Sequence, residues 1–389
     1  MENISPPKLL RLLDEIPDCR KGNAIKHKLI DILTIGILAM LCYADTFTGM
    51  QEFGEIHKEE LSKFLELPHG IPSHDVFRNV FSHLDADSTA KCFELWLTSL
   101  KAELSSQSAG ARNDHVVAFD GKVIRKSGNE EHKAFDVITA YCSDLKLVLG
   151  QLCTEEKSNE ITAIPQLLEL LDLRGCTVTI DAIGTQRKIA ETIIKKDADY
   201  ILALKKNQSE LLEIIEFGAK MELRETTEAE LEAKNLYYAT VEKDHGRLEE
   251  RECWIFPELP DEEAREQWPG IYGAALIRTK RTTLKDGNSS ETERWFIYSR
   301  KDLTAKQFLA MQRSHWAIEN NLHWTLDVCF NEDDAHVRYG HAAVILNIIR
   351  KLCLQLLKSN TSKGSIKSKR LRCAWNFNYA LSVLCNAEL

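Results

Sequence analysis

Two short β-forming runs in this sequence each lead into an aspartate. Val116-Val117-Ala118-Phe119 is followed by Asp120-Gly121, and Thr177-Val178-Thr179-Ile180 by Asp181-Ala182. If the two runs are neighbours in a sheet, their carboxylates stand side by side at one sheet edge. Two like charges brought together repel, and a divalent cation is the common compensation. Hard oxygen donors of this kind suit magnesium or manganese. Aspartates also favour turns and caps at strand ends, so the two runs alone leave both readings open.

A third element comes from the segment Gln312 to Asp327, in which His315, Glu319, His323 and Asp327 recur every four residues. On a helix each step of four advances about 40°, so neighbours share a face while the ends of the series diverge by about 120°. No single ion takes all four. Glu319 with His315 or Asn320 beside it makes a partial site, and Arg313, six residues before Glu319, is placed to hold a phosphate. A zinc site is disfavoured, because the two histidines lie about 12 Å apart along the axis, whereas zinc-binding helices space them by four. Trp316 and Trp324 read as packing residues and not as base-stacking platforms.

The elements that must position these groups fall into two kinds. Residues 1 to about 100 are helical in pattern: Leu29, Ile32, Leu33, Ile37, Met40 and Leu41 recur at helical spacing, Leu61, Phe64 and Leu65 repeat it, and a third helix is predicted over Thr89–Leu104. A polar linker, Ser105–Asn113, marks a boundary. Strands are then predicted at His115–Phe119, Phe135–Cys142, Leu145–Cys153, Cys176–Ile180 and Tyr200–Leu204, with helices at Ala163–Leu171, Arg187–Lys195 and Ser209–Phe217. That alternation predicts a mixed sheet covered by helices. An acidic helix and β-rich segments interrupt it from about 222 to 300, and long helices resume over Lys306–Trp324 and His341–Leu357.

The chain has 389 residues, 44% hydrophobic and 28% charged, as a folded protein of two or three domains should. Its longest uncharged apolar run, Ile32 to Ala44, is too short to span a bilayer and begins too late for a signal peptide. The 11 cysteines are scattered, with no CxxC pair, and read as reduced core residues of a cytoplasmic protein. A net charge of −9 does not advertise a nucleic-acid binder. Two local patches oppose that sum: Arg20, Lys21, Lys26, His27 and Lys28 near the start, and Lys358, Lys363, Lys367, Lys369, Arg370 and Arg372 near the end.

Taken together, the motifs resemble those of the DDE transposases of bacterial insertion sequences, specifically the H-repeat-associated transposase family. The resemblance rests on Ala118-Phe119-Asp120-Gly121-Lys122, Thr179-Ile180-Asp181-Ala182 with Gln186, Ala203-Leu204-Lys205-Lys206-Asn207-Gln208, His315-Trp316-Ala317-Ile318-Glu319-Asn320, Leu322-His323-Trp324, Asp327-Val328 and Phe330-Asn331-Glu332-Asp333. The segments His27 to Leu33 and Phe64 to Asp75 resemble the family's associated helical domain, so the likeness covers nearly the whole chain. It departs at Tyr339-Gly340-His341-Ala342, where the family usually shows Gly-Asn-Ala.

The resemblance implies an α/β, ribonuclease H-like catalytic core at 114–357 with a β-rich insertion at about 222–300. An all-helical domain at 1–104 would precede it and a basic tail at 358–389 would come after it. It implies Asp120, Asp181 and Glu319 as a catalytic triad holding two Mg2+ (or Mn2+) ions. Lys122, Lys205 and Arg313 are the expected phosphate contacts, with Lys369, Arg370 and Arg372 tracking the DNA backbone from the tail. The expected partner is double-stranded DNA, element ends and target, held by a dimer or larger assembly during synapsis. A catalytically silent DNA-binding remnant and a nuclease without strand transfer are the rival readings.

Overall fold

A helix that is apolar all round belongs in an interior. Leu29–Leu41 is such a helix: every residue of it except Ile30 is buried. It is α2 of the helical region α1 (Lys8–Asp14), α2, α3 (Phe47–Ile56), α4 (Lys58–Leu61), α5 (His74–His83) and α6 (Ala86–Ser106). The computed structural model describes residues 8–22, 25–106, 115–128, 130, 133–154, 160–244, 246–257, 259 and 262–385. The linker expected at Ser105–Asn113 begins inside α6, and the rest of it lies outside the described residues. The Leu61–Leu65 periodicity gives only the single turn of α4, since Pro68 and Gly70 come soon after and stop it.

After α6 come β1 (Val116–Val123), β2 (Asp136–Cys142), β3 (Leu147–Cys153), α7 (Glu160–Leu170), β4 (Thr177–Ile180), α8 (Arg187–Lys195), β5 (Asp199–Leu204), α9 (Ser209–Glu225) and α10 (Glu228–Ala233). The next elements are β6 (Tyr237–Asp244), β7 (Arg247–Phe256), α11 (Glu262–Gln267), β8 (Gly273–Thr283) and β9 (Ser289–Tyr298). The chain ends in α12 (Ala305–His315), α13 (Trp324–Phe330), α14 (Ala342–Ser359), α15 (Ile366–Trp375) and α16 (Phe377–Cys385). The strands form one mixed sheet in the order β3-β2-β1-β4-β5-β9-β8-β7-β6. β1, β4 and β5 are parallel to one another, while the other pairings are antiparallel. The β-rich stretch therefore extends the same sheet, through the pairing of β9 with β5.

Both faces of the central strands are covered, and alternation along each strand decides which side chain meets which layer. Val117 and Phe119 of β1, with Val178 and Ile180 of β4, pack under α7, α8 and α9. Ala118 faces the other way, into a core that runs continuously from α1 and α2 through α13 and α14 to α16. Asp120 follows Ala118 and Asp181 follows Thr179 onto that second side, where α12 packs against β1 and β4.

Two expectations change here. The helix predicted over Lys306–Trp324 stops at His315, and after a turn the chain resumes as a π-helical stretch, Glu319–His323, before α13. A π turn is wider than an α turn and shifts the register of the helix beyond it, a distortion frequent at functional sites. The expected basic tail is folded: Cys373, Phe377, Ala380, Val383 and Leu384 bury α15 and α16 in the core. Lys369 and Arg370 go in with them. No helix among the described residues is long and apolar enough to cross a membrane, and all 11 cysteines are free.

Candidate active site

Parallel pairing sets Phe119 opposite Ile180, so the next residues along each strand, Asp120 and Asp181, stand side by side. Asp120 lies within β1, paired with Thr139 of β2. Asp181 caps the short turn after β4, accepting a hydrogen bond from the Ile183 amide at 3.0 Å. That turn is stitched to the one after β5: Asn207 donates to the Ala182 carbonyl at 2.7 Å, Gln208 to Thr185 at 2.9 Å. Glu319 opens the π-helical stretch over the same edge.

Electrostatics shows that these groups converge. The Asp120 carboxyl is pushed up to about 7, first by burial and then by the negative charges of Glu319, Asp181 and Glu160. Glu160, the first residue of α7, is raised as well, by burial and then by Asp136 and Asp181. It comes close because residue 121 is glycine: a Cβ there would lie 2.2 Å from a Glu160 carboxylate oxygen. The spacing of sequence motifs offered no sign of this fourth acid, which stands alone at a helix start.

Crowded carboxylates with hard oxygen donors are the chemistry that a divalent cation compensates. Among the described residues, however, no group of three or more His, Cys, Asp and Glu stands close enough to ligate one ion. The acids are gathered around the edge without being closed about a point.

Further polar groups lie behind them. His315 Nδ1 is 3.0 Å from the Thr179 hydroxyl, and burial lowers the pKa of its ring even though Asp181 acts to raise it. His323 places Nδ1 3.5 Å from Asp120 Oδ2; burial, then Lys351 and Lys122, push its pKa down to about 3, which keeps the ring neutral. Lys122 is held by Asp327, by Glu332 at 3.2 Å and by Asp333 at 3.8 Å. The fully buried Glu332 also accepts from Asn347 at 2.9 Å and faces Arg350 at 3.5 Å. Lys351 donates to Thr139 and Gln151, each at 2.8 Å.

The expected phosphate contacts fare differently. Lys122 turns inward to its carboxylates and is not offered to a ligand. Arg313 forks onto Glu242 of β6, at 2.5 and 2.9 Å. Lys205 remains exposed at the start of the turn after β5. In the C-terminal region Lys369 is buried and donates to the Leu357 and Asn360 carbonyls at 2.9 and 2.6 Å. Arg370 is fully buried and bonds the Cys329 and Met40 carbonyls and, at 2.6 Å, Asp45. Neither can track a DNA backbone, because a helix carrying an apolar side has drawn both into the core. Arg372 alone of the three stays partly open. Trp316 packs under Arg294 at 4.9 Å, but Trp324 is 60% exposed and is not a core residue. His341 tethers the start of α14, its amide donating to Ser82 at 3.0 Å.

Two protein families match the chain. The family described as Transposase DDE domain matches residues 111–356, and the one described as DDE_Tnp_1-associated matches residues 10–97. Two similar proteins from Escherichia coli (strain K12) bear the name "H repeat-associated putative transposase", YhhI and YbfD. The first is 36% identical over 389 residues, covering 98% of this chain and 99% of its own. The second is 37% identical over 257 residues, covering 66% of this chain and 96% of its own. A solved piggyBac transposase synaptic complex with hairpin DNA aligns at a TM-score of 0.40 and 11% identity, covering 96% of this chain and 75% of that one. At that distance it bears on neither fold nor mechanism.

Proposed function

The chain belongs to the transposase DDE family, among the H-repeat-associated transposases, and on that premise we propose that it cuts and joins DNA at the ends of an insertion sequence. Asp120, Asp181 and Glu319 form the catalytic triad of a ribonuclease H-like core spanning 114–357, with 1–104 as its helical partner and about 222–300 as its insertion. The observation that carries the reading is the convergence on Asp120 of Glu319, Asp181 and Glu160, whose negative charges add to the effect of burial in raising its carboxyl to about 7. A ribonuclease H-like site needs two carboxylates side by side on adjacent strands and a third from a covering helix, and the placement of these three supports it.

Asp120, Asp181 and Glu319 would together hold two Mg2+ or Mn2+ ions. Bound there, such a pair would supply activation of the attacking oxygen and stabilisation of the leaving one in an in-line displacement at phosphorus. The chain's own residues do the positioning. The stitched turns after β4 and β5 fix Asp181, the π-helical stretch presents Glu319, and the neutral His323 ring orients Asp120 from behind. Water attacks first, and the freed 3′ hydroxyl then attacks target DNA. Joining two element ends calls for at least two protomers.

The test uses purified protein on a plasmid carrying the gene's own flanking DNA, with magnesium, manganese or EDTA. Cutting at the flanks should require metal and fall by several orders of magnitude in each of Asp120→Ala, Asp181→Ala and Glu319→Ala, with folding retained. Wild-type rates in any of the three would overturn the triad. Specific binding without cutting by the wild-type protein would make the chain a silent remnant.

A further inference from the structure

A cleft of about 1850 Å³ separates the helical region from the sheet edge. Among the described residues six cations line it, from four separate segments of the chain: Arg20, Lys21, Lys26, Arg78, Lys133 and Arg338. Only three acids among the described residues share its walls, Asp75, Asp136 and Glu160. In a chain whose net charge is −9, that local excess of positive charge runs against the background. Arg20 is paired with Asp18 and Arg78 with Asp75, each at 2.7 Å, so the charge offered to a ligand is chiefly that of the exposed Lys21, Lys26 and Lys133.

The position of the cleft matters as much as its charge. Glu160 and Ile183 are among its lining residues: a Cβ at Gly121, next to Asp120, would lie 2.2 Å from a Glu160 carboxylate oxygen, and the Ile183 amide holds Asp181. One wall is tied down: His341 bonds Ser82, Gly340 adopts φ +46°, and a Cβ at 340 would lie 2.3 Å from the Ser82 carbonyl oxygen. Arg338 donates to the Lys126 carbonyl at 3.3 Å, and Arg78 stacks on the Tyr339 ring at 5.3 Å. A positively charged channel with a fixed wall that borders the neighbours of Asp120 and Asp181 suits a long polyanion whose backbone must be led to one point.

We propose that this cleft holds the phosphate backbone of the DNA leading into the carboxylate site, so that the helical region forms one wall of the substrate channel. The inference rests on the DNA-cutting reading above and adds where the substrate lies and which residues grip it. Lys21, Lys26 and Lys133 are exposed there and are the principal phosphate contacts.

The test measures binding of a fluorescent duplex by anisotropy in EDTA, between 50 and 200 mM salt. Lys21→Ala/Lys26→Ala/Lys133→Ala is compared with wild type and with Lys220→Ala/Lys285→Ala/Lys301→Ala, three exposed lysines outside the cleft. Each lost phosphate contact should lower the salt slope by about 0.9, so the cleft variant should lose about 2.7 and bind at least tenfold more weakly. The control should match wild type. If the triple cleft variant unfolds, Lys26→Ala alone carries the test, at about one unit of slope. Unchanged binding by the cleft variant of a protein that still cuts its flanking DNA would overturn the channel and leave the function standing. A wild-type protein that neither binds nor cuts would overturn both.

Discussion

The two basic runs of this chain look alike as strings and meet opposite fates. Arg20, Lys21 and Lys26 line an open cleft, whereas Lys369 and Arg370 are buried. Net charge does not separate them; the neighbouring apolar residues do. The late run sits on α15, and Cys373, Phe377, Ala380, Val383 and Leu384 carry that helix and the next into the core. A guanidinium drawn in with them must find acceptors. Arg370 finds two carbonyls and Asp45, and the Tyr43 and Phe330 rings lie at 4.0 and 4.2 Å from its centre. The early run surrounds Gly22 and has no apolar stripe to pull it inward. A basic run therefore reads as a ligand contact only after its apolar spacing has been checked.

The sharpest way to break that contrast is at Arg370. Arg370→Met would leave the half-buried Asp45 and two carbonyls without their donor, and loss of one partner of a buried pair costs up to about 3–5 kcal/mol. Urea unfolding should show it as a large drop in midpoint, with DNA affinity unchanged wherever folded protein remains. A variant as stable as wild type, but weaker on DNA, would return Arg370 to the role its sequence suggested.

How much could be read beforehand follows the same division between local pattern and long-range packing. The two β runs told that Asp120 and Asp181 would be neighbours if the strands paired, since four β-forming residues before each aspartate are a local signal. The order of the sheet and the continuation of the β-rich stretch were not visible, because the pairing of β9 with β5 joins residues about 100 apart by packing and not by pattern. Glu160 was missed for a related reason. Its approach depends on the bare backbone of Gly121, and nothing near Glu160 in the chain encodes that. The periodic helix carrying Glu319 was legible as apolar spacing, but its π-helical break was not, since the same spacing also fits an uninterrupted helix.

Lys351 sharpens the contrast by a different route, because a buried lysine can shed its proton and an arginine cannot. Burial pushes its ammonium from the ordinary 10.5 down to about 7. Between those values the unfolded chain binds the extra proton, so stability contributed at this position rises with pH across that window and is lowest below about 7. The gain is at most about 1.4 kcal/mol per pH unit. Wild type and Lys351→Met should therefore differ in urea midpoint by different amounts at pH 7 and pH 9, with the shift favouring wild type at the higher pH. An identical gap at both would mean that Lys351 keeps its proton throughout, held by Glu332.

The smallest expected effect lies in the early run itself. Lys21 and Lys26 are exposed in the cleft, and neither makes a salt bridge among the described residues. Substituting exposed side chains away from caps and buried partners changes stability by less than about 0.5 kcal/mol. Lys21→Ala/Lys26→Ala should unfold at the wild-type urea midpoint within that margin. Any change at low salt should be a gain, since the substitution relieves repulsion among the cleft cations, and 0.5 M salt should erase it by screening. A destabilisation comparable to that of Arg370→Met would show that the early run, too, is part of the packing. The two basic segments would then differ in exposure and not in kind.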